Sequence, residues 1–131
     1  MPLDPQSRED IIQYRKDRSR STFKEAQFVT QGEFWNLVAN RLYYAVFYMC
    51  EALLLSHSIQ ANSHAGIARM MSLHFVKEGK LTQEEGKLLS RLFRMRQTGD
   101  YDDLFYWTKE ELLPMFPQVE SLINKLESLI Q

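Results

Sequence analysis

The chain's four prolines stand at positions 2, 5, 114 and 117, which leaves residues 6 to 113 free of the strongest helix breaker. Glycine occurs only five times in the chain. Turns must therefore come from a few glycines and from capping side chains, and the chain is biased toward long helices.

Apolar spacing divides the stretch. Asp4 before Pro5 is an N-cap with proline at the first helical position, and it opens a polar helix to about Val29 with apolar positions Ile11, Ile12, Tyr14, Phe23, Phe28 and Val29. Gln31-Gly32 breaks it. A second helix, from about Glu33 to His57, has apolar residues at 34, 37, 38, 42, 45, 49, 52 and 53 and only Glu33, Arg41 and Glu51 charged. That period near 3.6 marks it as the buried central helix. After a loop over 58–63, Asn62 or Ser63 caps a third helix with Ile67, Met70, Met71 and Phe75 facing inward, ended by Gly79-Lys80. Thr82 to Glu85 matches a capping box for a fourth helix through Leu88, Leu89, Leu92, Phe93 and Met95, stopping at Thr98-Gly99. Thr108 to Glu111 is a second capping box, and Pro114 and Pro117 should kink or split the last segment, which ends near Leu129. The expected product is all-α: one domain over residues 1–131, an antiparallel up-and-down bundle of four long helices plus a kinked C-terminal helix.

Composition excludes several classes. With 131 residues, 44% hydrophobic and 25% charged, disorder and fibrous or disulfide-built scaffolds are poor fits. About two-thirds of the unfolded chain's surface can be buried at this length, enough for one core. Sixteen basic against seventeen acidic residues give a net charge of -1, so any nucleic-acid binding must be local. Cys50, the single cysteine, can neither form an internal disulfide nor complete a cysteine zinc site. Met1 to Pro5 lacks a basic start followed by an apolar run, and the longest apolar segment, Leu42 to Leu55, is too short to span a bilayer and carries Glu51. A cytoplasmic protein without a membrane segment is expected.

Charge is unevenly placed. Residues 86–99 carry Lys87, Arg91, Arg94 and Arg96 and no acid, with Lys87, Arg91 and Arg94 on one helical stripe. These cations either complement the end of their helix or bind phosphate. Residues 100–131 hold seven acids against two lysines, so a charged seam between the last two helices, or between two protomers, is also open. The densest polar run is Arg94 to Asp103. Its arginines suit phosphate, while Asp100, Asp102, Asp103 and Tyr101 either meet a ligand or merely cap, pair and pack. Three acids in four residues without a further ligand do not make a metal site, and neither metal nor cofactor is expected.

Asn40-Arg41-Leu42-Tyr43-Tyr44-Ala45-Val46-Phe47-Tyr48 with Glu51-Ala52-Leu53-Leu54, then Ser63-His64-Ala65-Gly66, then Arg96 with Gly99-Asp100-Tyr101, resemble the small prokaryotic HEPN-domain proteins. The likeness spans about residues 8–129 and implies a helical bundle that commonly dimerises. It also implies a toxin of a toxin–antitoxin pair, often beside a minimal nucleotidyltransferase, and metal-independent RNA cleavage using an arginine, a polar residue, spacers and a histidine. Arg96 and Gln97 match the first two positions, but Tyr101 stands where the histidine belongs. A phenol of pKa near 10 is a poor general base at neutral pH.

The resemblance thus names Arg96, Asp100 and Tyr101 as the catalytic set, in a cleft shared by two protomers. Arg41, Tyr44, His64, Arg91, Arg94 and Gln97 are the expected nucleotide- or RNA-binding residues. Arg41 needs a partner in its apolar helix, and Asp100, Asp102 and Glu51 are the candidates. Tyr43, Tyr44 and Tyr48 are either core rings or a groove wall, and His64 is either a cap residue or a catalyst. The competing function is a non-catalytic module for dimerisation and partner docking.

Overall fold

The structure, a computed structural model, describes residues 4–101 and 106–131, side chains excepted from 97 to 101. The expected roles of Gln97, Asp100, Tyr101, Asp102 and Asp103 fall outside the described residues. Helices dominate, with no strand among the described residues: α1 Pro5–Val29, α2 Trp35–Ser56, α3 His64–Met71, α4 Gln83–Tyr101, α5 Lys109–Leu112 and α6 Met115–Ser128. A short 3₁₀ turn, Thr30–Gly32, joins α1 to α2, and a π-helical turn, Ser72–Val76, extends α3.

Local chemistry sets most of the boundaries. Asp4 accepts a hydrogen bond from the Ser7 amide at 2.9 Å, which lowers its own pKa, and Pro5 follows at the first helical position. Both capping boxes close: Thr82 N donates to Glu85 Oε1 (2.7 Å) and Glu85 N to Thr82 Oγ1 (3.1 Å), with the same reciprocal pattern at Thr108 and Glu111. Pro114 separates α5 from α6, and Pro117 lies in the first turn of α6, where its missing donor is harmless. Three expectations shift. Glu33 takes a left-handed φ of 60°, so α2 begins at Trp35. The third helix widens into the π turn before Gly79, at φ 75°, ends it. The fourth continues through Thr98-Gly99 to Tyr101, because glycine weakens a helix without obliging it to turn.

The first two helices form an antiparallel hairpin. At one end, Arg8 donates to the carbonyls of Leu55 (2.8 Å) and Ser56 (2.7 Å), which end α2. At the middle, the fully buried Ser19 donates to Ala45 O at 2.6 Å, which lets the backbones approach closely. Leu42, Tyr43, Met49 and Leu53 of α2 are wholly buried, so α2 is the central helix as its spacing predicts. Tyr14, Phe28, Phe34 and Leu37 are exposed instead, since the inward arc of α1 is narrow and the α1–α2 turn lies outside the bundle. The acidic end of the chain forms its seam with α1: Arg20 and Lys16 both meet Glu127, holding that carboxyl below its usual range. At the end of α2, His57 packs edge-on against Phe75 of the π turn, and Tyr43, in the first half of α2, meets Phe93 in the middle of α4.

Candidate functional site

One stripe of α2 escapes burial. Arg41, Tyr44, Tyr48 and Glu51, spaced three or four residues apart, are each half-buried in a helix most of whose remaining residues are buried. Arg41 lies 5.4 Å over the Tyr44 ring, and Arg18 of α1 lies 5.0 Å over the Tyr48 ring while donating to its hydroxyl at 3.3 Å. That hydrogen bond raises the Arg18 pKa further. The two tyrosine rings sit 5.8 Å apart, so the ring pair is flanked by Arg41 and Arg18 along the α1–α2 seam. Arg41 finds its acid on α1, Glu25 at 3.2 Å, and donates twice to Asn40 Oδ1. The expected Glu51 pairs with Arg15 instead, at 3.5 Å, nearly three turns further along. Desolvation pushes the Glu51 carboxyl up, and Arg15 only partly offsets it.

His64 closes the upper end of this stripe. Ser63 caps α3 by accepting from Gly66 N at 2.9 Å, which sets His64 at the first helical position facing α2. Its ring stacks on Phe47 with centroids 4.3 Å apart, and its Nδ1 shares a 2.5 Å hydrogen bond with the hydroxyl of the buried Tyr43. The Tyr44 ring meets it edge-on at 5.8 Å. Histidine is the side chain best suited to move a proton near neutral pH, and here its ring orientation is fixed from two sides. His57, by contrast, is structural: its Nε2 contacts Leu129 O at 3.0 Å.

Phe93 links this cluster to α4, lying edge-on to Tyr43 at 5.3 Å. One turn further on is Arg96, half-buried and nearly in line with the buried Leu89 and Leu92, on the side of α4 that faces the bundle. Arg91 and Arg94 are exposed, and at 3.6 residues per turn they point roughly 140–160° away from Arg96. The structure thus gathers Arg41, Tyr44 and His64 and turns Arg96 inward. It sends Arg91 and Arg94 to a different face. Tyr48, either a core ring or a groove wall by its spacing, lines this stripe, and Arg18 extends the site beyond the expected residues; Arg18 had no legible signal, being one of several arginines on a polar helix.

Among the described residues no group of three or more His, Cys, Asp or Glu is gathered as a metal site would require, and burial pushes the Cys50 thiol pKa up, making it a poor ligand. No described helix is long and apolar enough to cross a membrane.

A scan against protein families matches the HEPN domain over residues 12–129, and the chain belongs to that family. It is 34% identical over 124 residues to a UPF0332 protein of Thermotoga maritima, covering 95% of this chain and 94% of that one. Two relatives from Methanocaldococcus jannaschii are each named "Putative toxin". One is 28% identical over 109 residues (83% of this chain, 74% of the relative), the other 25% over 120 residues (92% and 89%).

Proposed function

We propose that this chain is a toxin-like HEPN protein that binds RNA or a nucleotide through Arg96, Asp100 and Tyr101, in a cleft completed by a second copy. In this reading it acts in the cytoplasm and is restrained by a minimal nucleotidyltransferase. The observation that carries it is the convergence of His64, Tyr43 and Tyr44 beside the stretch of α4 that bears Arg96. Guanidinium groups hold phosphate, the half-buried Tyr44 offers a ring for a base, and together they suit a single-stranded substrate. The names of the Methanocaldococcus relatives support the toxin part.

Cleavage needs a proton acceptor that Tyr101 supplies poorly. Purified protein should bind single-stranded RNA as it stands, and Tyr101→His should gain RNA cleavage that survives a chelator. Absence of RNA binding by the wild-type protein would contradict this reading. It would favour the second one, a docking module, for which the exposed Phe28, Phe34 and Leu37 around the α1–α2 turn speak.

A further inference from the structure

A groove of about 850 Å³ runs between α3 with its π turn and α4, and Phe93, which lines it, also touches Tyr43 of the His64 cluster. One wall is Ala68, Ser72 and Val76, one turn apart each; the facing wall is Gln83, Lys87, Ser90 and Arg94, also at helical spacing. Leu89 and Phe93 supply apolar surface between them, and Gly86 lets the walls close, since a Cβ there would sit 3.1 Å from Val76. Lys87, Arg94 and neighbouring Arg91 pair with no carboxylate among the described residues. The cations are strung along the helix: Lys87 and Arg94 are two turns apart, about 10 Å of axial rise. A line of unpaired cations beside an apolar strip fits successive phosphates of a strand, with a base on Phe93, better than it fits one phosphate.

We propose that this groove holds a neighbouring stretch of the single-stranded RNA held at Arg96, the strand crossing α4 over Phe93, which lies between the faces of Arg94 and Arg96. The inference rests on the RNA-binding reading above and narrows it to strands longer than a mononucleotide. Ala68 and Phe93 tie the two places together, the first lying one turn after His64 and the second touching Tyr43.

The test is binding of a fluorescent single-stranded RNA across a salt series. For Lys87→Ala/Arg94→Ala, affinity should fall at least about tenfold and the slope of log K against log salt should drop by about 1.4, two phosphates at roughly 0.7 each. Lys24→Ala/Lys109→Ala, which removes the same charge from exposed positions on α1 and α5, should leave the slope unchanged. Ser72→Glu, which places a negative charge on the opposite wall, should also weaken binding. If the wild type binds RNA and the Lys87/Arg94 variant keeps its slope, the groove assignment is overturned while the RNA-binding reading stands. The groove assignment is equally overturned if adenosine monophosphate displaces the strand at equal concentration, or if the variant loses only an acidic protein partner. If the wild type binds no RNA, the underlying reading falls and takes the groove with it.

Discussion

The Tyr43 hydroxyl and His64 Nδ1 share a 2.5 Å hydrogen bond across the α2–α3 junction, and it ties the buried centre of the bundle to a half-buried imidazole. Tyr43 is 1% exposed, so its position is set by packing, and it imposes that position on His64.

Removing that hydroxyl should therefore cost little stability and much order. Tyr43→Phe keeps the ring contacts with Phe47 and Phe93, so a urea titration should show a loss of about 1 kcal/mol. The ring-nitrogen chemical shifts of His64 should change at the same time. Unchanged shifts would mean the two residues are not coupled in solution.

Glu51 makes stability depend on pH in a specific direction. Its folded-state pKa is raised above the ordinary 4.5, chiefly by desolvation, so the native state holds this proton more tightly than the unfolded chain does. That contribution favours folding in acid and is lost as pH rises from the unfolded value through the raised one. Glu51→Gln should accordingly raise Tm at pH 7 and have no effect near pH 3. Arg15, a third exposed, is left solvated by the change.

Thr22 is fully buried against α2, and its hydroxyl finds no hydrogen-bond partner among the described residues. Thr22→Val keeps the shape and removes the unsatisfied group, which should stabilise the fold by about 1 kcal/mol. Calorimetry should show Tm rising by roughly 3–5 °C. A fall in Tm would mean that the hydroxyl is satisfied in solution.

Sequence pattern made the fold legible where the determinants are local. Asp4, Ser63 and the two capping boxes mark helix starts within four residues of themselves, and each holds in the structure. The π turn at Ser72–Val76 was not legible, because its register follows from how Phe75 packs on His57 and Lys80, not from its own residue types. For the site, the cluster of Arg41, Tyr44 and His64 was marked by motif, but the partners were not. Glu25 and Arg18 reach α2 from α1, and no spacing rule links residues 16 or 30 positions apart. The separation of Arg94 from Arg96 follows from helical geometry alone, since two residues along a helix face nearly opposite ways.

On the proposed reading, Arg96 serves recognition and not folding. Its guanidinium would hold a phosphate and stabilise charge on it, an effect worth about 3 kcal/mol, or roughly a hundredfold, when such a donor is removed. The most direct measurement is growth of a bacterial host after induced expression of the wild-type chain and of Arg96→Ala, with soluble, helical protein verified for both. Growth arrest by the wild type and normal growth with folded Arg96→Ala is the predicted result. Equal growth arrest by the two, or no arrest by the wild type, would contradict the account.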